Sequence, residues 1–326
     1  DQTWSTVEID SCISVGAYED IHCTDGSVWL ENSTLRGSGT HLYVDGGDVI
    51  FTNTCLNNII QTAGTILCKG VPQEYHVYAG MRIQDAITAA ITATPNPADT
   101  APYTILIHPG IYDEAITCAS WVNLRGIGPK GSVVIRQVNA DVLQLNSNVE
   151  LQNMTVLITT PAAGAKSLIK DAGNAYTGVR LSDIVLAYTT PAAIANVGIL
   201  LTGGSTVILE RCSAIWVAGT AAEVVLSVTT AASTVTVDGC NFSNNNSVAS
   251  LINSAFAGTV ITVVDSRLHG AASHLVASAG IIRVANSQYR SIARTGGNIV
   301  DESPQLQDAP WKVHRWDWMT ALANMD

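Results

Sequence analysis

One eight-residue phrase recurs eight times along this chain, and few folds can absorb such a repeat. Each copy has apolar residues at its first and third positions, a bend residue at its fifth, and a further spaced pair at its sixth and eighth. The copies run Val28–Leu35, Val49–Leu56, Val149–Val156, Val179–Leu186, Val207–Ala214, Val235–Phe242, Ile261–Leu268 and Ile282–Tyr289. A strand, a bend and a second strand cannot bury their apolar side alone, so each copy must stack on its neighbours.

The bend position holds Asn32, Asn53, Asn153, Asp183, Arg211, Gly239, Asp265 and Asn286. All but Arg211 are Asn, Asp or Gly, the residues that enter a left-handed backbone at least cost. The first and third positions, from Val28/Leu30 to Ile282/Val284, keep a period of two that marks one buried face. The bend adds one residue and resets the alternation, so Ser33/Leu35, Ile184/Leu186, Cys212/Ala214 and Cys240/Phe242 are expected to turn inward. Successive bends lie 21 residues apart from Asn32 to Asn53, then 30, 28, 28, 26 and 21 apart from Asn153 to Asn286. One loop repeats literally, as Thr159-Thr160-Pro161-Ala162-Ala163 and Thr189-Thr190-Pro191-Ala192-Ala193. An antiparallel sandwich would alternate in the same way, but its hairpin signals, such as Asn-Gly, are missing. The expected fold is all-β: a right-handed parallel β-helix with one short helix and an irregular C-terminal tail.

A chain of 326 residues can bury a large core, and a solenoid keeps it as one elongated domain. Charged residues make up 13% of it, about half the usual ~25%, so Ser, Thr, Asn and Ala must cover the outside. That exterior suits an element packed in a larger assembly, or one facing sugars. A net charge of −11 without a Lys/Arg cluster argues against nucleic acid as the partner. No apolar run reaches membrane-spanning length and no signal peptide is visible. The start at Asp1 reads as a processed, partial or renumbered chain. Cys12, Cys23, Cys55, Cys68, Cys118, Cys212 and Cys240 show no metal spacing. Cys212 and Cys240 share an inward slot and are expected to stack as small core residues. A bridge between them, or among the amino-terminal four, stays open.

Residues 1–70 read as amino-terminal rungs, 71–135 as a helix-containing junction, 136–300 as the main β-helix and 301–326 as a tail. Within the junction, Met81 to Ile91 carries apolar residues at helical spacing. The strings Ile83-Gln84-Asp85-Ala86-Ile87, Ile105-Leu106-Ile107-His108-Pro109-Gly110-Ile111-Tyr112-Asp113-Glu114 and Val122-Asn123-Leu124-Arg125-Gly126 follow one another there. Together they resemble the opening of pectin methylesterases and of the wider pectin-lyase-like β-helix superfamily. That resemblance covers about 50 of the 326 residues. It implies a helix that plugs an end of the solenoid and a first wall strand at Gly110-Ile111-Tyr112-Asp113-Glu114. The esterases' catalytic motifs (Gln-Asp-Thr-Leu, Asp-Phe-Ile-Phe-Gly and Leu-Gly-Arg-Pro-Trp) are absent, so no catalytic residue carries over.

Glu210 and Asp238 occupy one outward slot in consecutive copies, roughly 4.8 Å apart if the strands pair in register. Carboxylates that close could share a proton or serve retaining glycoside hydrolysis, where ~5–5.5 Å is required. They are weak catalytic candidates, since they also read as wall residues eased by Arg211 or another base. No metal or cofactor is expected. His22, His41, His76, His108, His269, His274 and His314 are scattered, with only His269 and His274 close in sequence. The sequons at Asn32, Asn153, Asn241 and Asn245 matter only in a host that glycosylates.

Pro310 to Met319 holds Trp311, Trp316 and Trp318 around Arg315. Aromatic and Arg side chains anchor interfaces, so this tail is expected either to cap its own solenoid or to dock on another subunit. The leading expectation is a non-catalytic structural protein at a virion surface or in an extracellular assembly. It resembles the β-helix spikes, fibres and decoration proteins of bacteriophages, a likeness that implies capsid or tail subunits as partners, a homo-oligomer such as a trimer, and surface glycans as contacts. The alternatives are a carbohydrate-active enzyme (polysaccharide lyase, esterase or depolymerase) of the pectin-lyase-like superfamily, and a cell-surface adhesin.

Overall fold

The computed structural model of the chain describes residues 6–10, 13–16, 21–37, 40–52, 54, 59–70, 73–159, 166–188, 196–216, 223–244, 250–270, 273–289 and 291–302. They form an all-β protein with a single helix, α1 (Ile83–Thr92). Fourteen strands, from Thr6–Asp10 to Asn298–Asp301, make one long sheet. Seven, from Gly110–Tyr112 to Arg267–Gly270, make a second, and eight, from Ile116–Thr117 to Ile292–Arg294, make a third. From Tyr103 to Ala277 the chain visits the long, second and third sheets in turn, then returns to add the next strand to the long one. Pairing along this cycle is parallel, an arrangement compatible with a β-helix.

In-register stacking builds the core. Ile105, Leu124, Leu151, Leu181, Leu209, Val237, Val263 and Val284 lie in one inward column, each 0–1% exposed. Every such side chain removed from water is worth about 1.5–3 kcal/mol, so a slip of one residue, which would turn the whole column outward, is strongly disfavoured.

The bends behave as their residue types predict. Asn32, Asn153, Asp183, Arg211, Gly239, Asp265 and Asn286 all hold φ between 47° and 58°; Asn53 lies outside the described residues. From Asn32 to Asp265, the N–H of these bends donates to the carbonyl just before the bend of the next circuit, as from Asp183 to Glu210 (2.9 Å), Arg211 to Asp238 (2.9 Å) and Gly239 to Val264 (3.1 Å). Arg211 carries a Cβ in a conformation that disfavours one. Its guanidinium forks onto Asp183, the bend residue one circuit earlier, with Nη2 at 2.7 Å from Oδ2.

The small polar residue after each bend has a role that its inward position does not announce. Ser266 Oγ donates to the Val264 carbonyl at 2.7 Å and lies 3.4 Å from the Val237 carbonyl of the preceding circuit. Ser287, Thr54, Cys212 and Cys240 repeat this double contact, and Ser33 Oγ makes its local half at 2.7 Å. Ser266 Oγ also accepts the Cys240 N–H at 3.0 Å, and Ser287 Oγ accepts that of Ser266 at 3.0 Å. Groups that the sharp turn would leave unpaired in a dry interior are thereby satisfied. Met154 and Ile184 interrupt the ladder with apolar side chains. Cys212 and Cys240 are both free thiols, stacked as expected. Cys23, Cys68 and Cys118 are free as well, whereas Cys12 and Cys55 lie outside the described residues.

At one place the long sheet reverses. Thr65–Lys69 and Glu74–Val77 pair antiparallel, with Lys69 opposite Tyr75 and Cys68 opposite His76. Opposed residues share a face. Cys68 belongs to the interior of the amino-terminal block and Tyr75 to that of the main block, being 6% and 7% exposed. The apolar interior therefore changes sides of the sheet at this seam, and His76 faces the amino-terminal interior.

The interval 71–135 differs from the regular repeat in its antiparallel start, its helix and its first turn, which lies at His108-Pro109 rather than at an Asn or Asp. It contributes Glu74–Val77, Tyr103–Ile107 and Val122–Gly126 to the long sheet, and Gly110–Tyr112 and Val133–Gln137 to the second. α1 crosses between Glu74–Val77 and Tyr103–Ile107 and buries Ile83, Ala86, Ile87 and Ala90. Its N-cap, Arg82, offers no side-chain cap. Glu114 supplies one from thirty residues away, accepting the Ile83 N–H at 2.7 Å and the Gln84 N–H at 3.1 Å. Tyr112 Oη donates to the His108 carbonyl at 2.7 Å and reaches the Val77 carbonyl at 3.1 Å. The Gly110-to-Glu114 segment is thus spent on tying the helix and the first circuit together.

Ser266→Ala should cost about 1–3 kcal/mol, the penalty for orphaning buried polar groups, read from the urea midpoint. Glu114→Ala should remove about 1 kcal/mol, as the loss of an N-cap does, and lower helical ellipticity in the same titration.

Candidate functional site

The outward face of the long sheet carries two columns that differ in chemistry. Asn123, Glu150, Arg180, Ile208, Thr236, Thr262 and Arg283 form one, and Arg125, Gln152, Ser182, Glu210, Asp238, Val264 and Ala285 the other. Glu210 and Asp238 are direct register partners, so the spacing argument places them correctly. Their electrostatics differ from a proton-sharing dyad. Arg180 Nη2 lies 2.7 Å from both Glu210 oxygens, Arg180 Nε is 3.2 Å from Oε2, and Arg211 Nη1 stands 3.8 Å from the same oxygen. Both carboxylate oxygens are thus engaged by a neighbouring guanidinium rather than turned towards Asp238. The principal base beside Glu210 is Arg180, from the preceding circuit, with Arg211 secondary.

Below this pair a cleft of about 570 Å³ is lined by Leu106, Arg125, Lys130, Gln152, Asn153 and Asp183, together with the 126–128 backbone. Much of its polar lining is already engaged. Asn153 Nδ2 donates to the Gly126 and Gly128 carbonyls, both at 3.0 Å. Lys130 Nζ donates to the Arg211 carbonyl at 3.2 Å. The Arg211 guanidinium, hydrogen-bonded to Asp183, holds that carboxyl below its ordinary range. Arg125, exposed and projecting from the wall, leaves the cleft with a cationic character unlike the chain's acidic total.

A second cluster was invisible to motif reading. His76 Nε2 lies 2.9 Å from Glu74 Oε1, and His76 Nδ1 lies 2.9 Å from His108 Nε2. Tyr78 stacks on His108 with ring centroids 3.9 Å apart. Burial, followed by the His76 charge, lowers the pKa of His108 from its ordinary 6.5. Glu74 and His76 sit two apart on one strand and so share a face, and His108 follows the strand that pairs with theirs. That alternation was the available signal.

His269 and His274, neighbours in sequence, separate. His269 Nε2 meets Asn241 Oδ1 at 3.1 Å on the outside, whereas His274, 2% exposed, meets the Gly270 carbonyl at 2.9 Å. Among the described residues no group of three or more His, Cys, Asp or Glu converges as metal ligands would. Burial pushes the Cys68 and Cys118 thiols up to about 12, leaving them as packing atoms rather than nucleophiles. The docking candidates Trp311, Arg315, Trp316 and Trp318 lie outside the described residues. Among the described residues no helix is long and apolar enough to cross a membrane. No family model matches the chain, and no curated protein matches it.

Because Asp183 titrates low, the stability it adds is present above its ordinary value of 3.8 and lost as pH falls through the depressed folded value. Arg211→Ala should bring the Asp183 midpoint back towards ~3.9, followed by carboxyl ¹³C shifts against pH.

Proposed function

We propose that the chain is a right-handed parallel β-helix acting as a non-catalytic structural part of a virus particle or other extracellular assembly, of the decoration, fibre or spike kind. The observation that carries this reading is the outer wall over residues 179–285. Its outward, partly exposed side chains include Thr236, Thr262, Val264 and Ala285, and its stacked carboxylate Glu210 is tied to Arg180. A wall of small side chains with an internally neutralised charge pair offers a surface to lie against rather than a reacting centre. Three sheets visited in fixed order support the coil, and right-handed crossovers are the rule for parallel strands. At the seam, strand direction and core side both reverse, and two reversals leave the hand of winding unchanged. Its partners are subunits of the assembly, including copies of itself, with surface glycans as a further contact.

The cleft beside Arg125 and Lys130 favours a second reading, a carbohydrate-active enzyme. One experiment separates the two. The purified protein is incubated with acidic and neutral polysaccharides while reducing ends, unsaturated products and released ester groups are followed. No turnover is expected. Turnover that disappears in the Glu210→Ala/Asp238→Ala double variant would overturn the structural reading. Mass spectrometry of intact particles from the source organism should find the chain in stoichiometric amount, and recovery only as free monomer would count against it.

A further inference from the structure

The Glu74–His76–His108 chain stands where the two strand blocks meet. His76 shares its face with Cys68, whose side chain belongs to the amino-terminal interior. Tyr78, stacked on His108, also meets Phe51 of that interior at 6.4 Å between ring centroids. The two rings and Tyr78 therefore form the floor on which the amino-terminal core rests. Backbone support for the contact is thin, since the antiparallel pairing spans two residue pairs. A backbone bond from Gly70 to the Glu74 carbonyl (3.1 Å), apolar packing of α1 and side-chain bonds also cross it, the last including Gln61 Nε2 to Asp85 Oδ2 at 2.6 Å and Arg82 Nη2 to the Thr62 carbonyl at 3.2 Å. Gly70 leaves room for the chain: a Cβ there would fall 2.8 Å from both Glu74 Oε1 and His76 Nε2.

Proton counting limits the states this arrangement can hold. With Glu74 ionised, His76 donates Nε2–H to it. His76 Nδ1 is then free to accept from His108 Nε2–H, or, once protonated, to donate to an unprotonated His108 Nε2. Zero or one proton beyond the neutral pair preserves the 2.9 Å inter-ring bond. Two protons abolish it, because both facing nitrogens then carry hydrogen, and they set like charges against an apolar floor. We propose that this chain is an acid-sensitive latch: it seats the amino-terminal block on the main block while at most one extra proton is present, and releases it when both rings are charged.

The surroundings offer little to compensate the second charge. Thr65–Lys69 contributes Cys68, and Lys69 points to the opposite face. The turn after Val77 contributes Tyr78. Gly110–Tyr112 contributes the Tyr112 hydroxyl, which is committed to the His108 and Val77 carbonyls, and α1, packed on the same strands, carries Asp85, whose carboxyl accepts from Gln61 Nε2. Among the described residues Glu74 is the one charged group hydrogen-bonded to either ring. His108 is held below its ordinary value, so the opened chain binds more protons than the closed one. The latch is at full strength above the open-state value near ~6.5 and weakens as pH falls below it.

Hydrogen exchange by mass spectrometry on the full chain, at pH 7.5 and pH 5.0 with intrinsic rates corrected, tests the latch. Protection in Asp48–Thr52 and Thr65–Lys69 should fall by about tenfold or more per unit of pKa separation, while that in Val179–Ser182 and Thr206–Glu210 stays level. His108→Gln keeps an Nε2–H donor for His76 and cannot charge, so it should abolish the difference. Equal protection of the amino-terminal strands at both pH values, or loss that persists in His108→Gln, would overturn the proposal. Should that variant not fold, imidazole NMR on the unmodified protein decides. Two titration steps at least about one unit apart support the latch, and two coincident ordinary midpoints refute it.

Discussion

Cross-circuit register governs this molecule. The side chains that fill the interior touch mainly their counterparts one strand above and below, so each column of Val, Leu and Ile is buried only if every circuit has matching strands and turns at the same place. The left-handed bend enforces this. It rotates the chain sharply enough to start a second wall, and its N–H is spent on the next circuit rather than its own. Local backbone chemistry and long-range packing thus make the same demand on one residue, the consistency across levels that specifies a unique fold.

Much of this was legible in the sequence because the phrase couples period-two burial to a residue type with a narrow backbone preference. Asp183 and Asn286 announced the bends, and Val179/Leu181 or Ile261/Val263 announced the buried face. Arg211 was legible by position and not by type, and its guanidinium is tied to Asp183 across the circuit. The circuits of 71–135 were obscured, since the antiparallel start and the helix break the repeat and His108-Pro109 replaces the Asn or Asp that marks a bend elsewhere. The inward Ser and Cys residues read as small core fillers. Their hydrogen bonds to turn carbonyls need the three-dimensional path of the bend to be recognised.

The candidate site was less legible still. Spacing brought Glu210 and Asp238 together correctly, yet spacing says nothing of Arg180, whose slot on the preceding circuit neutralises Glu210. The reverse failure hid Glu74, His76 and His108. No linear motif joins them, and the reversal of the long sheet turns an apparently outward histidine toward an interior. Sequence patterns report which face a residue takes within its own strand. They do not report a place where inside and outside exchange.

The repeated bend also says how a protein of this design can change in length. A circuit between two equivalent bends, such as the 28 residues from Asp183 to Arg211, presents nearly the same column contacts above and below. Duplicating one would lengthen the body by a single strand spacing of roughly 4.8 Å without redesigning either neighbour. The seam permits no such growth, because its two sides run in opposite directions and a copied circuit would meet a mismatched partner. Extension is confined to the two blocks, and the polarity reversal remains a fixed landmark from which the reach of each arm is measured.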